Sequence, residues 1–459
     1  MARGLVHFDT KVPLVEYMDL ASALENWLDQ ELGNHFLIVK DAHLALQGNP
    51  IAISRLRTLA HRIAHDESTL ATVFLVSSEL YAPPELEKFI TVFEMEPPGE
   101  EEITRILRKR AEHHEAKVDD GAIGKLALAF RGLGKYEIER LIDRGYQQDG
   151  AIGFEDLDLV LAEKRQIVRK SGILEMVPVV DEEMESVGGL QELKDWLKRK
   201  AKIMADLRDA RNFGVDEPKG AMVVGFPGCG KSLTAKAAAA EFELPLLRLD
   251  IGSLMGRYVG DSEANMRRAL KLAEAVSPCV LWVDELEKAF AGVGGSGSDS
   301  HIATRLFGYF LTWMQEKTRP VFVLATANDI SVLPPEFLRK GRLDEIFHVG
   351  LPDEDERAEI LQVHLKKRRK EGRNIDIGKL ARSTSGFSGA DLENVVKEAI
   401  EQAFLDGQRS LATDSMLGVV RETVPLAKLM DEKMKDYADR LRSMGIRSAS
   451  SSATKPWGS

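Results

Sequence analysis

Disulfide bonding has no part in this chain: 459 residues contain two cysteines, Cys229 and Cys279. That count excludes the stapled scaffolds of small secreted proteins and points to a reducing compartment, cytoplasmic or the stroma-like interior of an organelle. No apolar run approaches the roughly 20 residues that a membrane-crossing helix needs. The opening MARGLVHFD does not contain the apolar stretch of a secretory signal. Excess positive charge is missing too. The 62 Lys and Arg against 73 Asp and Glu leave a net charge of −11, which argues against a surface that coats nucleic acid. The ten histidines and two cysteines show no spacing suited to zinc. Within these exclusions, 44% apolar and 29% charged residues describe an ordinary folded chain, long enough for about two to four domains.

What is present is a change of rhythm at Ala221. From there AMVV, LPLLRLD, CVLWVD, VFVLAT and EIFHVG read as short strands, and 230–241, 261–275 and 302–316 read as helices between them. Strands alternating with helices predict parallel pairing through crossovers, hence a doubly wound α/β core over 171–352. After Leu351-Pro352 the pattern is purely helical (354–371, 376–383, 389–407 and 412–421), which predicts an α-helical lid over 353–424. An amphipathic stretch at 425–443 and a Ser-rich tail, expected to be disordered, complete the chain to 459.

The chemistry sits between the first strand and its helix. Gly225-Phe226-Pro227-Gly228-Cys229-Gly230-Lys231-Ser232 fits G-x-x-x-x-G-K-[ST] in the strand–turn–helix context that the motif requires. Its glycines let backbone N–H groups turn toward phosphates, and the helix N-terminus adds favourable partial charge. Lys231 is expected on the β- and γ-phosphates and the Ser232 hydroxyl on Mg²⁺. The nucleotide-binding set is then Gly225, Pro227, Gly228, Cys229, Gly230, Lys231, Ser232 and Leu233. A merely structural glycine turn would need neither Lys nor Ser. Further on, an apolar strand delivers Asp284 and Glu285 to its C-terminal end, where α/β sheets bind ligands. Asp284 suits Mg²⁺, and Glu285 suits a general base acting on the attacking water. Asn328 ends the next strand; alone it would be a turn residue, but here its amide can orient that water.

The first 170 residues read as a weaker copy of the second half. Phe36-LIVKDA pairs with Val280-LWVDEL, Val73-FLVSS with Val321-FVLAT, and Pro83-Pro84-Glu85 with Pro334-Pro335-Glu336. Ile123-GKLALAFRGLGKYEIERLI pairs with Ile377-GKLARSTSGFSGADLENVV, and the separation widens in one direction through all four. In this copy Lys40 replaces the acid at Asp284, both arginines of PPEFLRKGRLDEIF are gone, and no phosphate loop is found. The expectation is a degenerate domain over 1–170 that does not hydrolyse nucleotide; an unrelated α/β adaptor is the alternative.

Taken together, Val187-Gly188-Gly189-Leu190, SLMGRYVGDSEANMRRA, the Asp-Glu strand, ATAND, PPEFLRKGRLDEIF and GFSGADLENVV resemble AAA+ ATPases of the spastin, katanin and cell-division-protease type. The stretch LFGYFLTWMQEKTRPVFVLATAND is most similar to an AAA family encoded in algal plastid genomes and found in cyanobacteria and other bacteria. That family also carries a degenerate N-terminal AAA half, and its members begin with further residues before a segment like Arg3-Gly4-Leu5. The resemblance implies a P-loop AAA+ fold, ATP and Mg²⁺ as cofactors, and a homo-hexamer, permanent or ATP-induced, with sites at subunit junctions. It assigns Asn328 the sensor-1 role and makes Arg339 and Arg342 arginine fingers toward a neighbour's γ-phosphate. It places His364 near adenine and Gly389-Ala390 where other groups carry a sensor-2 arginine. Tyr258-Val259-Gly260 matches a pore loop that grips a polypeptide, and Gly292–Ser300 reads equally as a second pore loop or a connection.

The implied function is a ring-forming ATPase that remodels or threads a protein substrate. Two alternatives stand beside it: a nucleotide-dependent binding scaffold, and a DNA-directed motor. The run Lys366-Lys367-Arg368-Arg369-Lys370 favours the last, but such charge runs are mostly solvated helix faces. No His-Glu-x-x-His follows the module, so the metalloprotease of the membrane-bound relatives is not expected.

Overall fold

The computed structural model describes residues 5–6, 13–15, 19–29, 35–66, 71–77, 81–93, 95, 97–179, 184–254, 261–290, 299–334, 337, 339, 341–370, 375–407, 411–425, 427–428, 437, 440–441 and 444–451. The chain divides into two units, Met1–Glu96 and Pro97–Ser459.

In the first unit an antiparallel pair, β1 (Leu5–Val6) and β2 (Pro13–Val15), precedes α1 (Leu20–Leu28), β3 (His35–Lys40), α2 (Ala42–Leu46), α3 (Pro50–His65) and β4 (Ala71–Val76). Asn49 caps α3 by accepting from the Ala52 N–H, and Pro50 opens it, where a missing N–H costs nothing. β3 and β4 run parallel, with Leu37 opposite Val73. Strand alternation sends Val39 and Ala71 into a core with Leu24, Trp27, Leu56 and Leu59. The opposite face, Phe36, Ile38, Phe74 and Val76, is exposed.

The second unit opens with a helical layer: α4 (Glu100–His114), β5 (Lys117–Val118), α5 (Asp120–Phe130), α6 (Lys135–Asp149), β6 (Ala151–Ile152) and α7 (Asp156–Ser171). Ile103, Leu107, Leu126, Phe130, Ile138 and Leu141 form its core. β7 (Leu174–Val177) leads from it into the large sheet. There follow α8 (Gln191–Ala205), α9 (Leu207–Phe213), β8 (Gly220–Gly225), α10 (Lys231–Glu241), β9 (Leu246–Asp250), α11 (Ile251–Leu254), α12 (Asp261–Val276), β10 (Cys279–Asp284), α13 (Asp299–Glu316), β11 (Val321–Ala327) and β12 (Glu345–Val349). The lid is α14 (Glu354–Lys367), α15 (Ile377–Ser383), α16 (Gly389–Leu405) and α17 (Thr413–Glu422), and β13 (Arg447–Ser448) is the last strand.

The sheet runs β13-β12-β8-β11-β10-β9-β7, parallel throughout except for β7 on β9. Every residue of β8 and β11 is buried, as continuous apolar strands covered on both faces must be. All five expected strands and the expected lid helices are present. β7 was not expected. Arg447–Ala449, expected within a disordered tail, instead extend the sheet, which corrects that reading. The open edge of β12 supplies the reason: Ala449 donates to the His348 carbonyl at 2.8 Å, and its own carbonyl accepts from Leu193. Arg447 also lies over the Phe347 ring and pairs with Glu192. The 425–443 stretch is described only at 425, 427–428, 437 and 440–441.

α14 and α16 each start on a capping box, Asp353 with Glu356 and Ser388 with Asp391, so both lid helices begin at fixed points beside the core. Buried Arg357 ties the lid together by donating to the carbonyls of Pro352 and Ala381. The internal likeness reappears in backbone detail. Gly132 and Gly386, matched by the repeat, have φ of +84° and +82°, and the following helices α6 and α16 start at the matched Lys135 and Gly389. No helix among the described residues is long and apolar enough to cross a membrane.

Candidate functional site

β8 delivers Gly225 to the C-terminal edge of the sheet, where it pairs with Val349 of β12. A side chain at Gly225 would overlap the Val349 carbonyl, so only glycine lets the two strands close here. The chain then turns through Gly228 and Gly230 at φ of +79° and +89°, a region that L side chains resist. Lys231 opens α10, buried, with its ammonium donating to the carbonyls of Gly225 at 2.8 Å and Phe226 at 2.7 Å. Burial holds its pKa below the ordinary lysine value, while the nearby carboxylates Glu287, Asp284 and Glu285 oppose that shift. Cys229 is also buried, which pushes its thiol up to about 11, so it sits in the loop as a small neutral side chain. Pro227 and Ser232 are exposed and Leu233 is half-buried.

On the neighbouring strands, β10 ends at Asp284 and β11 runs beside it in parallel register. The Thr326 hydroxyl donates to one Asp284 oxygen at 2.8 Å and accepts from the Glu285 N–H at 3.2 Å. Arg248 of β9 donates to the other Asp284 oxygen at 2.9 Å. Glu285 has φ of +49°, an uncommon left-handed backbone for a non-glycine residue and of the kind that clusters at functional sites. Its carboxylate pairs with Lys288. The Asn328 amide donates to Glu287 at 2.6 Å, and the second Glu287 oxygen is buried without a partner among the described residues.

The lid closes over this edge. The Ala390 N–H donates to the Gly228 carbonyl at 2.9 Å, which seats the first turn of α16 on the phosphate loop. A Cβ on Gly228 would come within 3.0 Å of the Ala390 methyl and 3.1 Å of the Ser388 hydroxyl. Gly189 and Leu190 donate to Glu359 and Glu356 of α14, so the segment before the core is pinned to the lid as well. His364 is half-buried on α14. Its Nδ1 is buried without a partner among the described residues, and burial lowers its pKa.

Of the residues singled out in the sequence, the phosphate loop, Asp284, Glu285, Asn328, Gly389 and Ala390 thus share one edge of one sheet. Arg339 is exposed and Arg342 half-buried in the segment leading to β12. Tyr258 and Val259 lie outside the described residues, as does most of Gly292–Ser300. Three participants escaped the sequence reading: Thr326, Glu287 and Arg248. Their signals were faint but real, since Thr326 is the only hydroxyl in β11 and Arg248 the only cation in β9.

The residues fit a bound nucleotide with Mg²⁺. Among the described residues, the glycine cradle, a buried ammonium held only by carbonyls and an orphaned imidazole nitrogen suit phosphates and a base. A hydroxyl with a carboxylate is the oxygen donor set that Mg²⁺ prefers. Among the described residues no cluster of three His, Cys, Asp or Glu forms a protein-only metal site.

Comparison with known proteins bears on the family of the chain. Residues 221–351 match the ATPase family associated with various cellular activities (AAA), and 374–417 match the AAA+ lid domain. Residues 1–95 match the N-terminal domain, and 101–171 the second domain, of SpoVK-like AAA ATPases. The chain is 40% identical over 416 residues to the uncharacterized AAA domain-containing protein ycf46 of Guillardia theta, covering 90% of this chain and 80% of that one. The corresponding protein of Trieres chinensis is 39% identical over 381 residues, 83% and 76% of the two chains. That of Pyropia yezoensis is 37% identical over 405 residues, 88% and 80%.

Proposed function

This chain belongs to the AAA family of ATPases, and from that membership we propose that it is an ATP-driven remodeller of proteins working as a ring of six subunits. It binds and hydrolyses ATP. In this reading Lys231 and the loop N–H groups bind the phosphates, and His364 lies against adenine. Ser232 and Asp284 would hold Mg²⁺, which would supply charge that neutralises the phosphate oxygens. Glu285 takes the proton of the attacking water, which Asn328 orients. Arg339 and Arg342 act on a neighbour's site, which explains why Gly389-Ala390 can dispense with a sensor-2 arginine.

The observation that carries the proposal is the hydrogen bond from Ala390 to Gly228. In this reading a change of occupant in the loop is passed to the lid helix that starts on it, and in a ring a tilting lid moves the next subunit. We assign 1–170 to a degenerate AAA half. The parallel β3–β4 pair, the matched glycines Gly132 and Gly386 and the matched helix starts support that assignment.

The test is stimulation of ATP hydrolysis by an unfolded protein such as casein. Tyr258→Ala should remove the stimulation and keep basal turnover. Stimulation that survives the change would rule out threading by this loop. A second reading, a nucleotide-dependent scaffold, is favoured by one observation: the exposed face of Phe36, Ile38, Phe74 and Val76 on the N-terminal unit. It expects slow turnover without any dependence on Tyr258.

A further inference from the structure

Arg248 is an odd residue for its place. β9 is an interior strand whose neighbours Leu246, Leu247 and Leu249 are buried, and a charge there needs a reason. The registers supply its surroundings. Arg248 stands opposite Trp282 of β10 and opposite Glu175 of β7, and Asp284 lies two residues beyond Trp282 on the same face. The guanidinium lies over the Trp282 ring at 5.0 Å, which fixes its plane. One terminal nitrogen donates to Asp284 at 2.9 Å, and the other is 3.9 Å from Glu175. The Arg248 Nε is buried without a partner among the described residues.

Asp284 therefore has both oxygens engaged by protein groups, Thr326 on one and a full positive charge on the other. We propose that Arg248 is a positioning residue that sets how strongly Asp284 holds Mg²⁺, and that Glu175 sets Arg248. The inference rests on the assignment of Asp284 to Mg²⁺. A guanidinium on the carboxylate cancels part of the field that a divalent cation would feel, and the two cations repel each other. Glu175 draws the guanidinium the other way, since its carboxylate is reached by the nitrogen not used on Asp284. Glu175 lies on β7, the strand that directly follows α7 of the helical second domain. Docking of that domain is thereby tied to the metal side of the site through three side chains.

The experiment titrates mant-ADP fluorescence in EDTA and in Mg²⁺, and takes the ratio of the two dissociation constants as the readout. Arg248→Met should raise the tightening by Mg²⁺ roughly fivefold, the upper end for a half-exposed ion pair. Glu175→Gln should lower it, by a smaller factor. The double variant should match Arg248→Met, because Glu175 acts through Arg248, and Arg248→Lys should stay near the parent. A merely structural Arg248 would weaken binding equally with and without Mg²⁺, and that result overturns the proposal. So does a Glu175→Gln effect that persists without Arg248. If Asp284→Asn leaves the ratio of the parent protein unchanged, the assignment of Asp284 itself has failed and the proposal goes with it.

Discussion

Lys164 offers a measurement of how the helical second domain is fastened to the ATPase core. It projects from α7, almost wholly buried, and donates to the carbonyls of Val276 at 2.8 Å and Ser277 at 3.4 Å, where α12 ends. Nearby, a side chain at Gly132 would overlap the Ala275 carbonyl, so the same corner accepts a close backbone approach. Burial pulls the Lys164 pKa from 10.5 down to about 7. The unfolded chain keeps the proton up to its ordinary value, whereas the folded chain releases it near neutrality. Between those limits the unfolded state binds more protons, so this group's contribution rises with pH. Its penalty is present in full below pH 7 and fades as pH approaches 10.5. The size is about 1.4 kcal/mol for each pH unit, or about 4–5 kcal/mol over the whole window.

Lys164→Met removes this term and strips the two carbonyls of a donor, a loss of about 1–3 kcal/mol that does not change with pH. At pH 7 the variant should therefore match or exceed the parent in stability. By pH 9 the parent should have gained on it by about 2 kcal/mol. Urea unfolding at pH 7, 8 and 9, followed by the emission of the buried core tryptophans Trp196, Trp282 and Trp313, measures the difference. Cys279, the neighbouring thiol, is pushed up to about 12 by burial and stays neutral throughout this range. A stability difference that is flat with pH would refute the reasoning, for it would mean that Lys164 keeps its proton in the folded protein.

Glu285→Gln should retain ATP and stop hydrolysis; light scattering with Mg·ATP should then show a mass of about six subunits, and a persistent monomer or dimer would deprive Arg339 and Arg342 of a neighbouring site. Gly228→Ala should lose about 1–2 kcal/mol of stability from its left-handed backbone and, by pressing on Ser388 and Ala390, should also weaken mant-ADP binding. Gly214 has φ of +90° with nothing near its absent side chain, so Gly214→Ala should lose similar stability and leave mant-ADP binding alone. Equal effects of the two alanines on nucleotide would show that the lid contact is immaterial.

The parts of the fold visible in the sequence were those written in repeating patterns. Buried parallel strands demand unbroken apolar runs, and β8, β10 and β11 have them, so their ends could be placed to within a residue or two. The turn of Gly225–Ser232 between strand and helix was legible because its motif leaves few substitutes for glycine, lysine and serine. β13 was illegible because a short polar segment gains its place from the free edge of β12 and from Arg447 on Phe347, neither of which is local in sequence. The same holds for Thr326, Glu287 and Arg248. Each matters through a partner on another strand or turn, and one sequence does not reveal register.

These cross-strand partners give the site its logic. Lys231 rests on the Gly225 and Phe226 carbonyls, Asp284 on Thr326 and Arg248, Glu285 on Lys288 and Asn328 on Glu287. These four groups thus already have protein partners. The backbone sets positions through the glycine φ values and the register of β10 with β11, neither of which need change for the reaction. Within the sheet, only side-chain partners must be exchanged. The Glu285–Lys288 pair lies in solvent, where screening leaves such pairs weak, so releasing it costs little. The exchange at Lys231 is of another kind: a buried ammonium whose pKa burial has lowered gains far more from a phosphate than from two carbonyls. Nucleotide entry should therefore draw its driving force from Lys231, with the acids and Asn328 released afterwards at small expense, and the hydrolytic arrangement forms only after ATP is held.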